Sequence, residues 1–171
     1  LCPQRFTDDE LNNKQTPDFK VYKDGQLVFF CEVKSIDNSP WPDFISLDNY
    51  EDNNIEPASR LDRTYDRIAN KTYDASKQFE SVNKSHNIPN VLAFVNHEKL
   101  SDFTDLVLAF DGHQASHNQV IWFVKSEIMV RLKRHTKHLP DLFIWINHDK
   151  PEPQFLFITQ SPYYSDVCKL F

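Results

Sequence analysis

The scarcity of glycine is the feature that most limits what this chain can fold into. Its 171 residues include two glycines, Gly25 and Gly112. The glycine-rich turn of dinucleotide-binding folds, the phosphate-binding P-loop and the GxSxG turn of α/β-hydrolases all need closely spaced glycines. The chain therefore carries none of these three signatures, and its chemistry has to come from another arrangement.

Composition predicts one folded domain over residues 1–171. Forty per cent of the residues are apolar and 13% are aromatic, which is enough to build a core at this length. The net charge of −6 argues against a protein that coats nucleic acid by bulk electrostatics. No apolar run approaches the roughly 18 residues of a membrane span, so we expect no membrane partner. The start at Leu1 rather than methionine suggests a piece of a longer chain.

The cysteines indicate where the protein works. Cys2, Cys31 and Cys168 are far apart and odd in number, without the CxxC spacing of a zinc site. A disulfide framework is not expected from such a set. We therefore expect a reducing, intracellular setting, which means the cytoplasm, or the nucleus if the organism is eukaryotic.

Hydrophobic spacing predicts that strands and helices alternate, which is typical of an α/β fold with a mixed central sheet flanked by helices. A capping box at 7–10 predicts a short first helix. The other predicted helices cover 61–82, 101–110 and 126–138. The predicted strands cover 19–22, 27–36, 91–95, 120–124, 142–146 and 155–158.

An acidic loop is predicted between about residues 37 and 57. This stretch holds six acidic residues and three prolines, with no lysine or arginine. Trp41, Phe44 and Tyr50 suggest that it packs against the body of the domain or against a second chain. We hypothesise a lid, or a contact in a homodimer, that limits which substrate can enter.

The strand over 27–36 carries an unusual pair of charges. Alternation places Phe30, Glu32 and Lys34 on one face, and Cys31 and Val33 on the other. The strand begins apolar on both faces, as a strand covered on both sides does. A buried charge without a partner is costly, so Glu32 and Lys34 must either neutralise each other or serve a purpose.

The turn before this strand decides whether a second acid joins them. A two-residue loop at Asp24-Gly25 pairs Asp18 with Cys31 and turns Asp18 away from Glu32. A three-residue loop with Gly25 in the left-handed position pairs Asp18 near Phe30, on the same face as Glu32. We predict the three-residue loop.

In that register, two carboxylates and a lysine converge. Two carboxylates suit Mg²⁺ or Mn²⁺, whose remaining ligands are waters and phosphate oxygens. Such a metal ion polarises a phosphodiester and acidifies a bound water. A lysine beside it can orient that water or neutralise charge on the phosphate.

These residues resemble the signature of the PD-(D/E)XK, or restriction-endonuclease-like, nuclease superfamily. The signature reads Pro17-Asp18, then a gap of thirteen residues, then Glu32-Val33-Lys34, and the likeness covers about 7–95. It implies a restriction-endonuclease-like core in which Asp18 and Glu32 hold the metal and Lys34 is catalytic. Many members also use an acid from the first helix, which suggests Glu10, although the capping box explains that residue equally well.

The resemblance extends to the long helix, which in many of these nucleases lends polar side chains to the site. Gln78 would then support catalysis, and Lys71 is a second supporting candidate. The same positions also fit a solvated helix edge. Further along, a basic helix offers phosphate-backbone contacts, or merely cations suited to its C-terminal dipole. Its candidate nucleic-acid-binding residues are Arg131, Lys133, Arg134 and Lys137.

The sequence thus predicts a metal-dependent nuclease that hydrolyses phosphodiester bonds in nucleic acid, with DNA favoured over RNA. Two alternatives stay open. One is a non-catalytic nucleic-acid-binding or scaffold module on the same fold, in which Glu32 and Lys34 form only an ion pair. The other is an enzyme that uses paired carboxylates as acid and base without a metal.

Overall fold

The computed structural model describes residues 1–11, 15–37, 63–98, 101–111, 113–116, 119–123 and 138–171. Two predictions lie outside these residues. They are the acidic loop after Asp37, and the basic helix with Arg131, Lys133, Arg134 and Lys137.

Eight strands and four helices form the described part of the chain. The strands are β1 (Cys2–Arg5), β2 (Phe19–Lys23), β3 (Gln26–Ile36), β4 (Asn90–Asn96), β5 (His113–Ser116), β6 (Gln119–Phe123), β7 (Leu142–Asn147) and β8 (Lys150–Phe157). The helices are α1 (Asp8–Leu11), α2 (Arg63–Val82), α3 (Phe103–Asp111) and α4 (Tyr164–Cys168). The predicted α/β class is confirmed, with the central strands and the long helix within two residues of their expected bounds.

Six strands form a mixed sheet in the order β1-β2-β3-β4-β7-β8. β3, β4 and β7 are parallel to one another, and the outer pairings are antiparallel. β5 and β6 form a separate antiparallel hairpin. The parallel strands lie in the centre, where helices cover the sheet, as expected for strands that read as continuous apolar runs.

Apolar side chains pack on both faces of the sheet. On one face, Ile68 and Phe79 of α2 and Leu106 of α3 pack with Phe94 and Trp145, all fully buried. On the opposite face, Val167 of α4 belongs to a second cluster, which contains Val21, Phe29, Val91 and Leu142. The sheet is therefore flanked by helices on both sides. No helix in the described ranges is long and apolar enough to cross a membrane.

The β2–β3 hairpin differs from the prediction in its turn. Lys23 pairs with Gln26, so the loop has two residues, Asp24 and Gly25, with φ values of +52° and +77°. Positive φ at both central residues is typical of a type I′ turn, which matches the twist of a hairpin. The prediction of a three-residue loop was wrong.

A β-bulge then corrects the register that this short turn sets. Tyr22 pairs with Leu27, but Val21 pairs with Phe29, which leaves Val28 as the extra residue on β3. A bulge shifts the pairing by one residue, and in a strand that shift exchanges the two faces. Beyond the bulge Phe19 pairs with Cys31, so Asp18 comes to lie opposite Glu32.

Candidate active site

Asp18 and Glu32 lie on the same face of the sheet and are joined through the backbone. The Asp18 N–H donates to Glu32 Oε2 at 3.0 Å, and the Val33 N–H donates to Asp18 Oδ2 at 2.8 Å. The predicted convergence on one face is confirmed, although the two acids are opposite neighbours rather than diagonal ones. Asp18 is exposed and Glu32 is 2% exposed, so the pair spans the boundary between solvent and interior.

Lys34 neutralises the buried member of this pair. Its Nζ lies 2.5 Å from Glu32 Oε1, and the lysine side chain keeps 22% of its surface exposed. Burial raises the pKa of Glu32 above its ordinary value, the Lys34 hydrogen bond and charge oppose that shift, and the charge of Asp18 adds to it. Two acids of like charge therefore lie close together beside one ammonium group.

Gln78 on α2 fixes the lysine from the other side. Lys34 Nζ donates to Gln78 Oε1 at 2.8 Å, and Gln78 Nε2 donates to the Thr16 carbonyl at 2.9 Å. One amide thus binds both the lysine and the segment that leads into Asp18. The structure thus brings Gln78, a candidate from the resemblance, into contact with Lys34.

Ser81 adds a contact that the sequence did not reveal. Its Oγ lies 2.9 Å from the Gln15 carbonyl and 2.8 Å from the Gln78 carbonyl. A hydroxyl has one proton to donate, so these two acceptors share it. Ser81 lies three residues after Gln78, on the same edge of the helix, and that spacing is the signal that could have found it.

Lys71 is not brought to the carboxylates. It lies seven residues before Gln78, about 10 Å along the helix axis, and its side chain is half-buried. Within the described residues, no hydrogen bond or ion pair joins it to Asp18, Glu32 or Lys34. Its supporting role stays a prediction.

Glu10 has partners of its own. It accepts from the Thr7 N–H at 2.9 Å, the reciprocal contact of a capping box, and its two oxygens lie 2.6 and 2.8 Å from Lys20 Nζ. The Lys20 hydrogen bond, with the Thr7 N–H, lowers the pKa of Glu10 to about 2. The structure therefore assigns Glu10 to the helix cap and to Lys20.

The carboxylate pair meets the minimum requirement of a magnesium site. Mg²⁺ is often held by one or two protein carboxylates, with waters and substrate phosphates completing its shell. The charge of Asp18 raises the pKa of Glu32, because the two carboxylates repel each other. A bound cation would relieve that repulsion. Within the described residues, no group of three or more histidine, cysteine, aspartate or glutamate side chains converges to hold an ion. The described part of the chain thus offers two carboxylate ligands to a metal here, Asp18 and Glu32.

The chain was compared with models of protein families, with characterised proteins and with solved structures, and none of the three comparisons gives a match.

Proposed function

We propose that this protein is a Mg²⁺- or Mn²⁺-dependent nuclease that hydrolyses phosphodiester bonds, with DNA as its substrate. The observation that carries the proposal is the meeting of Asp18, Glu32 and Lys34 on one face, with Gln78 bound to the lysine. The resemblance of Pro17-Asp18 and Glu32-Val33-Lys34 to the PD-(D/E)XK signature supports the same conclusion, and with it a restriction-endonuclease-like core.

Asp18 and Glu32 would hold the metal. When bound, the ion polarises the phosphodiester and makes a coordinated water more acidic. Asp18 is exposed, so it can meet an incoming ion and a substrate phosphate without rearrangement of the core. Glu32 is held rigidly because Asp18 N–H and Lys34 occupy its two oxygens, which sets the direction of the carboxylate.

Lys34 would be the group that assists hydrolysis. Its ammonium lies next to the acids and retains exposure, so it can donate to a phosphate oxygen or orient the attacking water. Attack by water on phosphorus forms one P–O bond and breaks another, and negative charge gathers on the phosphate oxygens meanwhile. A fixed cation stabilises that charge more than it stabilises the ground state.

Gln78 keeps the lysine in place. A flexible four-carbon side chain has many rotamers, and a hydrogen bond from α2 selects one of them. The same amide anchors Thr16, two residues before Asp18. Gln78 therefore couples the position of the lysine to the position of one proposed metal ligand.

A cleavage panel tests this proposal. The purified chain is incubated with duplex, single-stranded and branched DNA and with the matching RNAs, in Mg²⁺, Mn²⁺ or EDTA. We expect metal-dependent cleavage that falls about 10²- to 10³-fold in Lys34→Ala, the usual cost of losing one transition-state donor. Lys169→Ala, an exposed lysine on the opposite face of the sheet, is the matched control. Full activity in Lys34→Ala, or cleavage in EDTA, would refute the assignment.

A second candidate is a non-catalytic nucleic-acid-binding or scaffold module on the same fold. The observation that favours it is that the protein already satisfies Glu32 and Lys34 with each other and with backbone and amide groups. Such a module would bind nucleic acid without cleaving it. It would also gain no stability from Mg²⁺, which distinguishes it from the nuclease.

A further inference from the structure

A second lysine lies on the same face of the sheet as the proposed active site. Lys20 pairs with Phe30 across β2 and β3, and Asp18 lies two residues before it. Residues two apart in a strand share a face, so Lys20 flanks the acid pair on one side and Lys34 flanks it on the other. Along the strands, the Cα atom of each lysine lies two residues, or about 7 Å, from the Cα atoms of the acids.

Lys20 is held in place rather than free to move in solvent. Its ammonium lies 5.1 Å from the centre of the Phe6 ring, and Phe6 stacks on Phe30 at 6.2 Å. The lysine side chain is 15% exposed, whereas that of Glu10, its acidic partner, is 42% exposed. The cation is thus fixed by the fold, and the anion that covers it lies at the surface on a helix of four residues.

We propose that Lys20 binds a backbone phosphate next to the scissile one, and that Glu10 occupies this phosphate subsite in the free protein. The inference rests on the proposed nucleic-acid substrate. Both oxygens of Glu10 lie within 2.8 Å of Lys20 Nζ, which is how a phosphate group would engage the same ammonium. B-form DNA has one phosphate per about 3.4 Å of rise on each strand, so a neighbouring phosphate falls within reach of this side chain.

Displacement of Glu10 by a phosphate explains why a surface carboxylate lies beside a proposed active site that must admit a polyanion. Glu10 neutralises Lys20 when no substrate is present, and it repels a phosphate until it is displaced. Glu10 is the exposed partner at 42%, and solvent screens its ion pair from that side, so the cost of displacing Glu10 is small. A phosphate and the Glu10 carboxylate compete for the Lys20 ammonium. The affinity of this subsite for nucleic acid is therefore set by the difference between the free energies with which Lys20 binds these two anions.

Binding of a fluorescently labelled oligonucleotide tests the proposal independently of cleavage. Anisotropy titrations in EDTA, over a series of NaCl concentrations, compare the wild type with Lys20→Gln, Glu10→Gln and the double variant. Glutamine at position 10 preserves the capping box, because that motif accepts either residue. Lys169→Gln and Asp166→Asn are the matched controls, since Asp166 lies on α4 and Lys169 directly follows it, on the opposite face of the sheet.

We expect Lys20→Gln to weaken binding and to reduce the slope of log K against log salt by about 0.9 for duplex DNA, or about 0.7 for single strands. We expect Glu10→Gln to tighten binding about two- to fivefold, the range that an exposed ion pair spans. The double variant should bind like Lys20→Gln. Thermal melting of each variant verifies that it is folded.

Three results would overturn the subsite. They are an unchanged salt slope in folded Lys20→Gln, a Glu10→Gln gain that persists without Lys20, and the absence of oligonucleotide binding by the wild type. The nuclease proposal fails on a different result. If the expected binding pattern appears but no substrate is cleaved in Mg²⁺ or Mn²⁺, the phosphate subsite stands and the hydrolytic function does not.

Discussion

Glu32 is a buried acid whose ionisation works against the fold. Burial raises its pKa above the ordinary value of 4.5, so the folded chain holds this proton more tightly than the unfolded chain does. The contribution of this carboxyl group to stability is then complete below pH 4.5 and is lost as the pH rises through the raised pKa. We expect the free energy of unfolding of the wild type to fall relative to that of Glu32→Gln across this window, as measured by urea titration at each pH.

Magnesium should reduce that loss, because a cation between the two acids stabilises their charged forms. Repeating the titrations with Mg²⁺ separates a metal ligand from a merely buried acid. An identical pH dependence with and without Mg²⁺ would contradict the assignment of Glu32 as a ligand. This experiment therefore reports on the metal at one residue, without any substrate.

Glu10 provides the opposite case in the same protein. Its pKa is lowered from 4.5 to about 2, first by the Lys20 hydrogen bond. Stability from this group is present above pH 4.5 and is lost as the pH falls towards 2. In the same urea titrations, we expect the wild type to lose its advantage over Glu10→Gln as the solution becomes more acidic. A constant difference between the two proteins would show that the Glu10–Lys20 pair does not form in solution.

Gln78 can be tested through its two ends separately. Gln78→Glu retains an acceptor for Lys34 but loses the donor to Thr16, and Gln78→Ala loses both. We expect kcat/KM to fall about tenfold or more in Gln78→Ala, because a lysine without its anchor samples other rotamers. The stabilisation by Mg²⁺ should persist in Gln78→Ala, since both carboxylates remain. Loss of that stabilisation would place Gln78 in the metal site itself.

At the scale of elements, the hairpin shows what the sequence could and could not reveal. Alternation in 27–36 correctly placed Glu32 and Lys34 on one face, because side-chain period is a local property. The loop length was wrong, since Asp24 adopts a positive φ that aspartate tolerates better than most residues. The bulge at Val28 leaves no local signal, as it depends on which residues of β2 and β3 reach the two cores.

The bulge is itself testable. Deleting Val28 from β3 removes the extra residue, so the hairpin becomes regular and Asp18 still lies opposite Glu32. We expect this deletion to retain both cleavage and stabilisation by Mg²⁺. Inserting one alanine between Phe30 and Cys31 in the same variant restores the number of residues but makes Asp18 pair with Cys31 and face away from Glu32, so both should be lost. Full activity in the insertion variant would mean that the register does not matter.

Other elements escaped prediction for definable reasons. β1 contains Pro3, which argues against a strand except at the edge of a sheet, and β1 does lie at the edge. β5 has no predicted counterpart, and it forms a four-residue strand that pairs with β6. α4 has five residues, which are too few to show a helical period. Its buried residue, Val167, packs in the second core cluster. Tertiary context rather than local pattern determines each of these elements.

At the scale of the whole molecule, stabilisation by a metal ion distinguishes the two candidate functions. A ligand that binds only the folded state stabilises it by RT ln(1 + [L]/Kd), about 2.7 kcal/mol at a hundredfold excess over Kd. For a domain of this size, 1 kcal/mol shifts the melting temperature by about 2–4 °C. Saturating Mg²⁺ should therefore raise Tm by about 5–10 °C, and EDTA should reverse the rise.

Variants show whether this rise in Tm comes from Mg²⁺ bound at the carboxylate pair. Asp18→Ala should show no rise in Tm with Mg²⁺, because one of the two carboxylates is gone, whereas Asp166→Asn on α4 should respond as the wild type does. Calorimetry with and without Mg²⁺ measures all three proteins under one condition. An equal rise in Asp18→Ala would indicate that the ion binds elsewhere, and no rise in the wild type would favour the non-catalytic module. In that case, a rise in Tm on adding DNA without Mg²⁺ would identify a binding surface that operates without the carboxylate pair.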